Sequence, residues 1–387
     1  MRLVRRLSGR RLLLLLVVAL AVAAGVAVRP LVHGMSFVIR AANMTGALRT
    51  VADLDTGVVR ERDVSIHGAA GMLHARAYEP AGRGRRTALL VSGLHPSGID
   101  EPRLVGLARE LAKSGMTIVT PDIQELSAMT MTASVTDQIE AAARGLAADP
   151  AFARDGRIGM MGISFSGGLS VVAAGRPSLR DHVAFVFALG GHDDLPRVLR
   201  YLCTGDEPGA AYRAPHDYGL AVLLFEVVDR LVPIEQAGPL RAAVRRYLLA
   251  SALATVDPAK AVVEFDRLKA LATTMPEPSA TLLTNVNDRD VVHLGPRLLP
   301  HLKTYGQDAA LSPSRGPKPS APVFLLHGLD DNVIPADESR HLADDLRGHA
   351  PVRLLVSGLI SHAEVDRPPH VGDVAELARF WGDVLRR

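Results

Sequence analysis

The stretch Arg157-Ile-Gly-Met-Met-Gly-Ile-Ser-Phe-Ser-Gly-Gly-Leu-Ser170 constrains this chain more than any other. Ile158 to Met161 is an apolar run long enough for one buried strand, and Leu169 to Ala174 opens a helix. Between them stand Gly162, Ile163, Ser164, Phe165, Ser166 and a Gly-Gly pair. A strand that turns sharply into a helix needs small residues on both sides of the turn, because side chains there collide with neighbouring backbone. The residue at the apex is held strained with its side chain exposed, which suits a nucleophile. Ser164 takes that place when Gly162 closes the strand. A frame shifted by two residues would make Ser166 the nucleophile, and a glycine-rich turn without chemistry is the plain alternative.

The flanking sequence fixes the context of that turn. Apolar runs at Ala88–Val91, Met116–Val119, Val183–Leu189, Val323–Leu326 and Val352–Val356 read as buried strands. Helical patterns separate them at Leu104–Lys113, stopped by Gly115, at 134–148, and at Ala336–Leu346, with Val371–Leu385 closing the chain. Ser134 and Asp137 form a rough capping box for the second of these helices. Strands alternating with helices predict a mostly parallel sheet covered on both faces. Asp63–Ile66 and Leu73–Tyr78 alternate around a Gly-Ala-Ala-Gly turn and predict a hairpin. From 195 to 319 the rhythm becomes helical (Leu220–Leu231, Leu240–Ala254, Ala259–Ala272), and Ser312–Pro322 reads as the loop back to the sheet.

The formal charge of +3 is unevenly placed: Met1 to Arg11 holds five arginines and no acid, so the remainder stands at −2 (3 − 5). No nucleic-acid footprint follows from such a balance. Behind the arginines, Leu12 to Val28 is a seventeen-residue uncharged apolar run, at the lower limit for spanning a bilayer. Two readings stay open. One is a signal peptide cleaved near Ala21-Val22-Ala23; the other is an uncleaved anchor that leaves the rest of the chain outside the cytoplasm. Residues 31–60 show no strong periodicity and read as a membrane-proximal segment. The single cysteine, Cys203, excludes an intrachain disulfide and reads as a buried, inert thiol.

With these segments in line, the chain resembles the α/β-hydrolase family over roughly residues 60–200 and 320–387. His327-Gly-Leu-Asp-Asp331 resembles the family's acid loop, with Asp331 as the acid, and His362 lies where the family places its general base. The order Ser, Asp, His is the family's order. With the resemblance, the core is expected at 61–194 and 320–387; the residues themselves give a mostly helical insertion, expected as a cap, at 195–319, a membrane-proximal segment at 31–60 and a signal or transmembrane helix at 1–30. The resemblance further implies that Ser164 attacks, that His362 moves the proton, and that Asp331 orients the imidazole. Backbone N–H groups of Phe165 and Leu94 would form the oxyanion hole; the Ser92-Gly93-Leu94 loop departs from the His-Gly-x common in the family, but a backbone donor needs no particular side chain.

The implied reaction is hydrolysis of a carboxylic ester or thioester, with no cofactor and no metal. A small acyl substrate, membrane attachment through the N-terminal helix and no nucleic acid complete the expected partners. An exported peptidase, an acyltransferase or an inactive scaffold of the cell envelope are the alternatives. Other residues carry lesser readings. His370 is a rival base, Asp193 and Asp194 are rival acids, and Asp330 is a solvated neighbour. His192 reads as a loop histidine, while His95, His216 and His327 read as structural or pocket-lining. Asn285, Asn287, Asp288 and Asp290 read as a solvated loop.

Overall fold

The computed structural model describes residues 28–82, 84, 86–207, 212–302, 305–360 and 371–387. Its centre is one eight-stranded sheet in the order β1-β2-β4-β3-β5-β6-β7-β8. The strands are β1 (Val59–Gly68), β2 (Gly71–Pro80), β3 (Thr87–Val91), β4 (Thr117–Pro121), β5 (Ile158–Ile163), β6 (Val183–Leu189), β7 (Val323–Gly328) and β8 (Val352–Ser357). β2 runs antiparallel to both neighbours, and the pairs from β4 onward are parallel. This is the mostly parallel sheet with helices on both faces that the sequence implies.

Alternation along each strand explains why both faces must be covered. Leu89, Met160, Val186 and Leu325 enter one apolar core, while their neighbours Leu90, Met161, Phe187 and Leu326 enter another. Successive side chains of a strand point to opposite faces, so a strand apolar throughout needs a helical layer on each side. Helices Ala133–Ala148, Phe165–Gly175 and Ala336–Asp345 cover the first face. Helices Pro102–Lys113, Val371–Leu385 and a helix over 28–41 cover the second.

Several local readings shift. The hairpin is longer than its alternating cores, with pairing from Val59↔Pro80 to Gly68↔Gly71. The capping box at Ser134 is not formed. Thr132 is the N-cap residue of Ala133–Ala148, and its hydroxyl donates instead to Glu125 at 2.6 Å. Asp137 pairs with Arg176 at 2.6 Å. Asn285 and Asn287 lie within the helix Ser279–Asn287 rather than in a loop, and Asp290 caps the next helix by accepting the His293 N–H.

Between β6 and β7 the described residues form six α-helices: Leu195–Thr204, Asp217–Val227, Ile234–Ala254, Pro258–Ala272, Ser279–Asn287 and Val291–Leu298. Asp194, Asp257 and Asp290 each accept a first-turn N–H at the start of one of them, the preferred role of aspartate at an N-cap. Their apolar faces join the core of the first sheet face.

The apolar run and its possible cleavage site lie outside the described residues, except for Val28. Among the described residues no helix is long and apolar enough to cross a membrane. The segment after Val28 is helical where the sequence shows no clear period. A Cβ on Gly34 would stand 1.9 Å from the Ala378 carbonyl oxygen, and one on Gly382 would stand 2.2 Å from that of Pro30. Helix 28–41 and helix Val371–Leu385 thus touch backbone to backbone, which only glycine allows. Phe37 packs on Trp381 with ring centroids 4.3 Å apart. In a chain with 4% aromatic residues and one tryptophan, Phe37, Phe187, Phe380 and Trp381 gather here. That concentration makes this seam a principal apolar contact of the second face.

Candidate active site

β5 ends at Ile163, and the helix Phe165–Gly175 begins two residues later. Ser164 is the whole turn, with φ 58° and ψ −134°. A side chain at Gly162 would place its Cβ 2.2 Å from the Ser166 carbonyl oxygen, so the strand can reverse this tightly only at glycine. The Ser164 N–H donates to the Leu189 carbonyl at 2.7 Å, and its own carbonyl accepts from Gly167 at 2.8 Å. These bonds hold a conformation that costs a non-glycine residue about 1–3 kcal/mol. Ser164 is half-buried and lines a cavity of about 980 Å³. Ser166 differs in every respect: it is fully buried in the helix, and its hydroxyl donates to the Ser92 carbonyl.

The loop after β3 lies against this turn. A Cβ on Gly93 would stand 3.5 Å from the Ser164 Cβ, and Leu94 lines the same cavity. Phe165 is the first residue of its helix, where backbone N–H groups have no intrahelical acceptor. The two expected oxyanion donors therefore belong to segments on either side of Ser164.

Asp331 follows β7 and is buried, with 2% exposure, at the cavity wall. Its Oδ1 accepts the N–H groups of Val333 at 2.9 Å and Ile334 at 3.0 Å. Its Oδ2 lies 3.5 Å from His327 Nε2. His327 is itself enclosed, bonded to the Ser339 hydroxyl at 2.6 Å and the Ile334 carbonyl at 2.8 Å, which makes it structural. Asp330 is exposed beside the cavity. His362 and the rival His370 lie outside the described residues. The structure thus brings Ser164, Phe165, Leu94 and Asp331 to one cavity.

The rival acids are occupied elsewhere. Glu338 accepts the N–H groups of Asp193 and Asp194, each at 2.9 Å. Arg197 bridges Glu338 and Asp193 Oδ2, the latter at 3.0 Å. Asp194 caps its helix and accepts the Ser314 hydroxyl at 3.1 Å. Burial, with the Asp345 and Glu338 carboxylates near, pushes Asp193 up to about 7 in spite of Arg197. His192 lies in the loop after β6, as expected, and is fully buried there. Its Nε2 bonds the Leu311 carbonyl at 2.7 Å, and desolvation lowers its pKa. Among the described residues no group of three His, Cys, Asp or Glu is placed to hold a metal. Cys203 is buried, and burial alone pushes its thiol up to about 12.

Sequence reasoning missed the cavity's outer walls. Tyr218, from the insertion, donates to the Leu94 carbonyl at 3.4 Å and faces the cavity. His216 caps that helix by accepting the Tyr218 N–H at 3.2 Å. Arg40, Ala41, Asn43 and Arg49 contribute a wall from the N-terminal segment. The sole sequence signal for Tyr218 is an aromatic residue at the start of an insertion helix, which does not say what it faces.

No family model and no curated protein matches this sequence. Solved structures do resemble it in overall shape. A thermostable esterase from Pseudomonas putida shares 14% identity at a TM-score of 0.47, over 88% of each chain. A Pyrobaculum calidifontis esterase shares 16% identity at 0.46, over 87% of this chain and 89% of its own. A thermophilic carboxylesterase cloned from a metagenomic library shares 16% identity at 0.47, over 87% and 91%. Likeness at this level says nothing of activity.

Proposed function

We propose that this chain is a serine hydrolase that cleaves carboxylic esters or thioesters through an acyl-enzyme on Ser164. The observation that carries the reading is the position of Ser164. It forms a strained apex between strand and helix, opens into a large cavity, and shares that cavity with the buried Asp331 carboxylate. In the proposed reaction Ser164 Oγ attacks the acyl carbonyl carbon while His362 takes the hydroxyl proton. The oxyanion accepts from the N–H groups of Phe165 and Leu94. The tetrahedral intermediate collapses, the carbon–oxygen or carbon–sulfur bond to the leaving group breaks, and His362 returns the proton to that group. Water then repeats the sequence on the acyl-serine and frees the acid. Asp331 holds the imidazole and balances its charge.

In this reading 195–319 is a cap over the core formed by 61–194 and 320–387, which the placement of Tyr218 and Val222 in the cavity wall supports. The basic residues before Leu12 and the apolar run to Val28 support an anchored enzyme whose catalytic domain stands outside the cytoplasm. The test is fluorophosphonate labelling of the full chain in detergent, with the adduct located by peptide mass spectrometry. The expected result is an adduct on Ser164 that is lost in Ser164→Ala and in His362→Ala. Folded wild-type protein without an adduct would favour the scaffold. An adduct on Ser164 with turnover of amides and not esters would favour a peptidase.

A further inference from the structure

The segment 28–58 turns many of its large apolar side chains outward. Of the sixteen large apolar side chains exposed among the described residues, seven fall here: Val28 and Val32, then Met44, Leu48, Val51, Leu54 and Val58. Leu54 is 84% exposed, so nothing in the fold covers it. Nearly half of this exposure in one short segment is the kind of patch that marks a docking surface.

The segment is not loosely held. Its inner side is buried through Phe37, Val38, Arg40 and Ala52. Arg40 donates to Glu110 at 2.9 Å, to the Ala52 carbonyl at 2.8 Å and to the Ser114 hydroxyl at 2.8 Å. His33 bonds Asp55 at 2.5 Å. An apolar outer face is therefore fixed rigidly to the domain.

Two further facts identify what that face meets. The apolar run Leu12–Val28 ends at the first residue of the described helix. Close contact with the domain begins at Pro30 and is established at Gly34, about 9 Å past Val28 along a helix rising ~1.5 Å per residue. No slack separates the run from the domain, so the surface that takes the run is also the surface nearest this face. The second fact is that Arg40, Ala41, Asn43 and Arg49 of this segment line the cavity that contains Ser164. That cavity's other walls include the aliphatic side chains Leu104, Leu107, Val222 and Leu223.

We propose that the 28–58 face docks on a phospholipid bilayer and that the Ser164 cavity opens beside it, so that the enzyme draws long-chain acyl esters from the lipid phase. The substrate part of this proposal rests on the hydrolase reading of Ser164; the docking part does not. An interfacial face of this kind seats apolar side chains at the boundary of headgroups and acyl chains.

The test uses the full chain reconstituted in phosphatidylcholine–phosphatidylglycerol vesicles. Val51→Cys and, on an exposed turn elsewhere, Arg180→Cys carry an NBD fluorophore, Cys203 being buried. Doxyl-labelled lipid should quench the probe at 51 several-fold more than the probe at 180. Equal quenching overturns the proposal. Lipid-shielded self-quenching at 51 also overturns it, because a second copy of the chain then covers the face. In parallel, Leu48→Asp/Val51→Asp/Leu54→Asp should hydrolyse a water-soluble acetate ester within twofold of wild type. On a long-chain ester held in the vesicles it should lose at least tenfold. Equal loss on both esters overturns lipid-phase entry. No turnover of either ester by wild type, with no adduct on Ser164, defeats the hydrolase reading instead, and the quenching still decides the docking.

Discussion

Ser166 donates its hydroxyl to the main-chain carbonyl of Ser92, tying the first turn of the elbow helix to the loop that carries Leu94. Both residues are buried. Ser166→Ala leaves that carbonyl without its partner, at a cost of about 1–3 kcal/mol. We expect a lower denaturant midpoint and an adduct still formed on Ser164. Ser164→Ala should reverse the pattern, with little loss of stability and no adduct. Denaturation curves beside adduct mapping of the two variants check this pair. An adduct lost in Ser166→Ala and kept in Ser164→Ala would move the nucleophile by two residues.

The backbone of Ser164, at φ 58°, suits glycine better than serine. Ser164→Gly should therefore raise stability by about 1 kcal/mol while removing the nucleophile. A raised urea midpoint with an unchanged slope is the expected reading. A fall would mean that the serine hydroxyl contributes more to the fold than its backbone strain takes away.

Asp331 Oδ1 holds two backbone N–H groups, and asparagine can keep both. Asp331→Asn should leave the thermal midpoint nearly in place. It should lower kcat by about 10⁴, the loss known when a triad acid becomes an amide. Asp331→Ala should also destabilise, by about 1–3 kcal/mol for each N–H left buried and unpaired. Thermal melts and ester kinetics on both variants separate the two roles.

Asp193 gives the fold a pH dependence. Its folded pKa, pushed up by burial to about 7, lies above the ordinary 3.8 expected of the unfolded chain. The folded state therefore holds the proton more tightly. The resulting stabilisation is full below about pH 3.8, is lost as the pH rises to about 7, and changes no further above that. Asp193→Asn removes this titration and keeps an oxygen for Arg197. Urea midpoints from pH 4 to 8 should fall more steeply for wild type than for the variant, and parallel slopes would refute the assignment.

Gly382 faces the Pro30 carbonyl with room for no more than hydrogen. Gly382→Ala must force the helix over 28–41 away from Val371–Leu385, at about 1–3 kcal/mol. A lowered thermal midpoint, with earlier proteolysis near residue 40, is the expected result. An unchanged midpoint would show that the seam opens without cost.

Much of the sheet is legible in the sequence because strands buried on both faces are short apolar runs bounded by turn residues. The terminal helix Val371–Leu385 is legible for a similar reason, its apolar positions recurring on one face. The turn at Ser164 announces itself through Gly162, since close backbone approach leaves a glycine behind. Helix 28–41 does not show, because its inner side is set by long-range partners: Gly34 against Ala378, Phe37 against Trp381, and Arg40 against Glu110. Glu338 is equally silent. An acid in the first turn of a helix reads as a solvated residue, and only the fold shows it accepting the N–H groups of Asp193 and Asp194. The N-cap at Thr132 is hidden because Ser134 offers an equally good hydroxyl two residues on. Tyr218 reaches the cavity only through the path of the insertion, which no local pattern encodes.

The seam between Gly34 and Gly382 sets an order of events during synthesis. Helix 28–41 leaves the ribosome before any strand of the sheet, and its partner helix Val371–Leu385 leaves after all of them. Arg40 can meet Glu110 and Ser114 early, but Phe37 and the bare backbone at Gly34 lack their close partners until Trp381 and Ala378 exist. The nascent domain must therefore carry one half of this contact open through most of translation, a long-range closure of the kind that is slow and exposes apolar surface meanwhile. Joining these two helices comes late, and a product stalled before Val371 leaves the inner side of helix 28–41 without this partner.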